Sequence, residues 1–219
     1  MKKDAFVGYV PPEYFFALEL DVAKWKDSKK KDAKAAWGES YLLPQFCKLF
    51  QEEPFAEVSM AWSPEGLYFF VDVAHENPTV SFPEVQKGDS IELFIDTKNL
   101  KTARTTHRFC HHFYFLPERI EGTMAGESTR FRTEDSHPLC SADDLEVKVI
   151  RKKKGYTSEI FIPQKCLIGY QPEIGGQLGF TYRINRANDT PQHFAISSTN
   201  CEIENNPYLW ALIKLVEKT

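Results

Sequence analysis

The chain has 219 residues, a formal net charge of −4 and a pI near 5.9, with 42 % hydrophobic and 14 % aromatic residues, 17 of them Phe. That much apolar material fills an interior and excludes a disordered chain; the mild acidity and the lack of a basic stripe interleaved with aromatics argue against nucleic acid as a partner. No stretch reaches the ~18 apolar residues of a membrane span, and the opening MKKDAFVGYVPPEY has no signal-type apolar run, so neither membrane insertion nor a secretory signal is expected.

In chain order, FFALEL (Phe15 to Leu20) reads as a first strand. VAKWKDSKKKDAKAAW (Val22 to Trp37) is lysine-rich without alternation and reads as a solvated loop or short surface helix, with 22–50 as an insertion. Strands follow at AEVSMAW (Ala56 to Trp62), LYFFVDVA (Leu67 to Ala74), DSIELFID (Asp89 to Asp96), RFCHHFYFL (Arg108 to Leu116), LEVKVIR (Leu145 to Arg151), YTSEIFIP (Tyr156 to Pro163), QLGFTYRIN (Gln177 to Asn185), HFAIS (His193 to Ser197) and LWALIKLV (Leu209 to Val216). Each run is rich in aromatic and β-branched residues and is bounded by Gly, Pro, Asn or Asp, the pattern of an all-β antiparallel sandwich. Ser63-Pro64-Glu65-Gly66 and Lys154-Gly155 predict two hairpins. From Arg119 to Ala142 the polar sequence predicts short strand fragments and loops over a sheet edge. No linker divides the chain, so 1–219 reads as one domain.

The five cysteines, Cys47, Cys110, Cys140, Cys166 and Cys201, are odd in number, widely spaced and without a CxxC pair. They predict neither a disulfide framework nor a zinc ribbon, and favour a reducing, cytoplasmic setting unless export uses a route without a classical signal. Alternation puts Ile91, Leu93 and Ile95 on one face and Ser90, Glu92, Phe94 and Asp96 on the other. In the same way Phe109, His111, Phe113 and Phe115 oppose Arg108, Cys110, His112 and Tyr114, a set polar enough to line a binding surface. Cys110 and His112, two apart on one face, can reach one metal ion, with His75, His137 or His193 as a third ligand, although a packed Cys and a hydrogen-bonded His are commoner. Neither GxSxG, HExxH, a P-loop nor GxGxxG occurs, and the one acid pair of glycosidase type considered, Glu92 with Asp72, is a weak signal. The chain does not read as an enzyme.

The blocks AWSPEGLYFFVDV, GDSIELFIDTKN, HHFYFLP, GYTSEIFIP, GGQLGFTYRINRAND and PYLWALIKLV, in that order over Ala56 to Val216, resemble family 9 carbohydrate-binding modules, within a subgroup of short stand-alone proteins. The resemblance implies a carbohydrate-binding-module or immunoglobulin-like sandwich in which one curved face holds a sugar. Glu92 matches the glutamate that hydrogen-bonds sugar hydroxyls. Arg108, His112 and Tyr114 occupy the corresponding face of the next long strand, and Arg183 and Asn185 come from a nearby strand. The two tryptophans that sandwich a sugar ring in the family fall on Gln86 and near Glu204, which leaves Trp37, Tyr41, Tyr68 or Tyr208 as alternative platforms. The family also implies structural calcium, for which Asp72 to Asn77 and Asn185 to Asp189 are suitable oxygen-rich tracts. The expected function is non-catalytic recognition of a saccharide or other polyhydroxylated ligand. The alternatives are a protein-interaction or structural sandwich that has lost the sugar site, and a metal- or haem-binding sandwich.

Overall fold

Alternating apolar positions fold the chain into two facing sheets in the computed structural model, which describes residues 18–26, 36–50, 52–194, 196–198 and 202–217. The strands are β1 Glu19–Ala23, β2 Ala56–Ser63, β3 Gly66–Val73, β4 Ser90–Asp96, β5 Cys110–Ile120 and β6 Thr123–Glu127, then β7 Glu146–Lys152, β8 Gly155–Pro163, β9 Gln177–Asn185, β10 Gln192–His193 and β11 Ala211–Val216. The larger sheet runs β1-β11-β9-β4-β5-β6, with β10 also pairing β9, and the smaller runs β2-β3-β8-β7. All pairings are antiparallel except β1 with β11.

The core lies between the sheets. Ile91, Leu93, Ile95, Phe113, Phe115 and Phe180 of the larger sheet face Val58, Met60, Phe69, Val71, Ile160 and Ile162 of the smaller. Phe69 stacks on Phe180 across the gap, ring centroids 5.7 Å apart. Each such side chain contributes about 1.5–3 kcal/mol by leaving water. Both predicted hairpins form: Ser63 pairs with Gly66, and Lys152 with Gly155. Gly66 has φ 154, and a Cβ there would drive into the Ile162 carbonyl, so this turn requires glycine.

Several expectations are corrected. The first strand begins at Glu19, and Phe15 to Ala17 lie outside the described residues, as do 27–35 of the lysine-rich segment. The flanks of that segment are not a solvated insertion. Val22, Ala23, Trp37, Leu43 and Cys47 are buried, and Trp25, Trp37 and Tyr41 pack against Tyr68 and Phe70 on the outer face of the smaller sheet. Two tryptophans supply apolar area that the lysines hide in any averaged reading. HFAIS shrinks to the two-residue β10, while the polar stretch after Arg119 contains the full strand β6.

The cysteine reading also changes. Cys140 and Cys166 form a disulfide with Cα atoms 5.1 Å apart, Cys47 and Cys110 are free and buried, and Cys201 lies outside the described residues. The argument from cysteines to a reducing compartment therefore falls. Among the described residues no helix is long and apolar enough to cross a membrane.

Candidate functional site

Register builds the site on the outer face of the larger sheet. Glu92 at the middle of β4 pairs with Tyr114 of β5 on one side and Arg183 of β9 on the other. One step along the same face, Phe94 pairs with His112; one step the other way, Ser90 pairs with Asn185. Residues directly opposite in antiparallel strands share a face, so alternation alone brings these groups together.

The Glu92 side chain is fully buried, yet every acceptor site on it is filled. Oε1 accepts from Arg183 Nε at 2.7 Å and Asn185 Nδ2 at 2.7 Å; Oε2 accepts from Arg183 Nη2 at 3.0 Å and lies 2.7 Å from His112 Nε2. An ionised carboxylate offers about four lone-pair sites, and here all are used by the protein itself. Burial alone would raise its pKa, but the His112 hydrogen bond and charge, with those of Arg183, outweigh it and hold the carboxyl down at about 2. Arg183 moves the other way: burial works against its charge, and Glu92 and Glu204 raise its pKa above the usual value.

The same groups are braced from every side. Ser90 Oγ donates to the Val85 carbonyl at 2.7 Å and accepts from Asn185 Nδ2 at 2.9 Å. His112 stacks on Phe94 at 4.2 Å, and its Nδ1 lies 3.2 Å from Ser128 Oγ. The Arg183 guanidinium sits 5.8 Å from the Phe94 ring, and Trp210 lies 5.9 Å from that ring. Glu92 is thus a hub that fixes its neighbours.

Above this floor opens a cavity of about 650 Å³, with Glu92, Cys110, His112 and Tyr114 below and Gln86, Arg130, Glu204 and Asn205 among its walls. Arg183 Nη2 also reaches Glu204 at 2.6 Å, and Glu204 in turn accepts from Gln86. The walls mix Glu84, Glu202 and Glu204 with Lys87, Arg130 and Arg132, so neither sign of charge prevails. The Tyr114 hydroxyl makes no hydrogen bond to any described residue. It lies over Gly126, where any Cβ would collide with it.

Of the residues read from sequence, Glu92, His112 and Tyr114 line the cavity, and Arg183 and Asn185 hold Glu92 from β9. Arg108 is corrected. It precedes β5, so strand alternation does not govern it, and its Nε donates to the Asp135 carboxylate away from Glu92. Trp37, Tyr41 and Tyr68 belong to the outer face of the other sheet, and neither they nor Tyr208 lines the cavity. Asp72 sits on β3 and pairs with Lys152, so it does not face Glu92 as a second catalytic acid. Arg130, Ser128 and Trp210 were not singled out from sequence, since nothing in their spacing marks them.

The residues named for a metal or for calcium have other partners. Cys110 packs with Phe94, Ile196, Ile203 and Trp210, burial pushes its thiol up, and His112 is held by Glu92. The three proposed partners turn elsewhere: His75 to Asp89, His137 to Glu127 and His193 to Glu52. The two oxygen-rich tracts do meet, at Asp89, which lies 2.5 Å from His75 Nδ1 and accepts from the Thr79 and Ala187 amides at 2.8 and 3.3 Å. Asp189 pairs with Arg186 at 2.8 Å. Cations and N–H donors facing these carboxylates fit a calcium ion poorly.

Residues 23–218 match the family model described as "Carbohydrate family 9 binding domain-like". Two similar solved structures are a family 9 carbohydrate-binding module from Caldicellulosiruptor kristjanssonii in complex with cellotriose (15 % identity, TM-score 0.65) and one from the same organism in complex with glucose (14 %, TM-score 0.67). The alignments cover 92 % of this chain and 95 % and 97 % of those chains. No curated protein matches the chain.

Proposed function

The chain belongs to the carbohydrate family 9 binding domain-like family, and from that premise we propose a binding module, without catalysis of its own, that takes a saccharide in the cavity above Glu92. The observation that carries this reading is the saturated Glu92 carboxylate. It locks Arg183, Asn185 and His112 in one arrangement, so the cavity floor is polar and preorganised before any ligand arrives. A wall of mixed charge suits a neutral polyhydroxylated molecule better than an anion or cation. The complexes of similar modules with cellotriose and glucose support a sugar as its class.

Glu92 does not itself contact the ligand in this reading, because a sugar hydroxyl would have to displace one of its protein donors. The contacts fall to the Tyr114 hydroxyl, Arg130 and the rim. Calorimetric titration with gluco-oligosaccharides, guided by a broad glycan array, tests it. Tyr114→Phe removes one hydrogen-bonding group and should weaken binding roughly 2- to 10-fold. An array without a single retained glycan would defeat the proposal.

A second reading, a protein-interaction sandwich that has lost its sugar site, is favoured by the Gln86–Glu204 hydrogen bond standing where stacking aromatics are expected. A blank array from well-folded protein is the outcome that reading requires.

A further inference from the structure

We infer that His111, Glu127 and His137 form a binding site for a divalent cation of the zinc class, beneath β5 on the face opposite His112. His111 comes from β5, Glu127 from the last position of β6, and His137 from the loop that follows. His111 Nδ1 and His137 Nε2 lie 2.9 and 3.0 Å from the same oxygen, Glu127 Oε1, and the two rings are 4.4 Å apart. The three side chains are 0 %, 0 % and 3 % exposed.

Convergence of three buried ligand-type side chains carries the assignment, and their outer hydrogen bonds orient them. His137 Nδ1 lies 2.7 Å from the Arg108 carbonyl, which can only accept, so Nδ1 bears the proton. With Nδ1 so used, Nε2 is the nitrogen turned to Glu127 Oε1, and a proton on Nε2 or a cation that replaces it can join the two atoms. His111 presents its Nδ1 to the same carboxylate. If its Nδ1 donates to Glu127, its buried Nε2 is left without a partner. If Nδ1 ligates a metal, the proton moves to Nε2. His137 would then turn one nitrogen to the centre and the other to the Arg108 carbonyl, the usual support of metal-bound histidine.

The two nitrogens and the carboxylate oxygen lie within 4.8 Å of one another, so small side-chain shifts would bring them to the ~2.0–2.2 Å bonds of a tetrahedral zinc site. Thr129 Oγ1, 2.8 Å from Glu127 Oε1, or a water can complete it.

The neighbouring cluster of Asp96, His107 and Cys110 lacks this chemistry. His107 Nδ1 accepts from the Phe109 amide at 3.3 Å, which puts the proton on Nε2, the nitrogen 3.5 Å from Asp96. Both Asp96 oxygens already take backbone amides, those of Lys98 and Leu100. The contrast singles out the His-Glu-His set.

A cation there ties β5 to the segment 128–137, which carries Ser128, Thr129, Arg130 and Arg132 in the cavity wall. Its role is structural, holding that wall in place.

The test uses the full chain. Metal analysis should find about one zinc per chain, removable by a strong chelator. Restoring zinc at ~100 times its dissociation constant should raise the melting midpoint by roughly 5–10 °C. His137→Gln should lose the metal while keeping the far-UV spectrum of the wild type. Should that variant not fold, cobalt titrated into the metal-free wild type reads the ligand set directly, with visible absorption of a four-coordinate nitrogen–oxygen site expected. Only trace zinc with an unmoved midpoint, a cobalt spectrum of the hexaaqua ion, or a His137→Gln variant that keeps its metal would each overturn the assignment.

Discussion

Gln86 Nε2 donates to Glu204 Oε1 at 3.1 Å across one side of the cavity mouth. Resemblance to the family puts one ring-stacking tryptophan on Gln86 and the other near Glu204. On that resemblance, a polar pair stands at the mouth where aromatic faces are expected. On the proposed reading of a saccharide site, affinity would rest on hydrogen bonds.

Restoring one platform should therefore raise affinity. Gln86 ends an exposed hydrogen bond at the rim, and Gln86→Trp costs the fold little. An added ring contact is worth about 0.5–1.5 kcal/mol, so gluco-oligosaccharides should bind roughly 2- to 10-fold more tightly by calorimetry. Unchanged affinity would show that the ring of the sugar does not lie at this mouth.

Glu92→Gln keeps the shape of the hub and removes its charge. The new amide group would face N–H donors, and Arg183 would lose its main buried counter-charge, so urea unfolding should report a loss of about 3–5 kcal/mol. A loss under 1 kcal/mol would mean the network is not closed as described.

The same variant isolates a pH dependence. The Glu92 carboxyl is held down at about 2 when folded, against about 4.3 for an unperturbed glutamate. A depressed pKa stabilises the fold above the unfolded value, and this contribution is lost as pH falls from about 4.3 to 2. The shift corresponds to about 3 kcal/mol at neutral pH. The stability gap between wild type and Glu92→Gln should accordingly narrow through that window; a gap that stays constant from pH 6 to 2 contradicts it.

The Cys140–Cys166 disulfide closes a loop with a sequence separation of 26. A loop of that length should contribute about 3 kcal/mol, or roughly 6–12 °C in the melting midpoint. Dithiothreitol should lower the midpoint of the wild type by that amount and leave Cys140→Ser unaffected. Equal sensitivity of the two proteins to reductant would argue against the bridge.

Most of the sandwich was legible because its strands obey a period of two and its hairpins carry glycine at the turn. The strand β9, Gln177–Asn185, was read to the residue. Strand β6 was not, since TMAGE has little β-branched character and its Gly126 is set by the tyrosine lying over it. The Glu92, Arg183 and Asn185 row was accessible for the same reason as the strands: it follows from parity once register is known. Arg108 failed where that parity stops, two residues before β5 begins. Trp25 and Trp37 were lost among lysines, and the pairing of His111 with His137 spans a loop with no periodicity to reveal it.

Strand β4 lies between β5 and β9, and all seven of its residues are buried. Amides in such a strand exchange with solvent chiefly when the whole domain opens, so the floor of the cavity keeps one shape for as long as the protein stays folded. Any adjustment to a ligand falls to the rim, the segments around Gln86, Arg130 and Glu204. For the saccharide proposed above, the identity of what fits would then be decided by the fixed floor and the ease of entry by the rim.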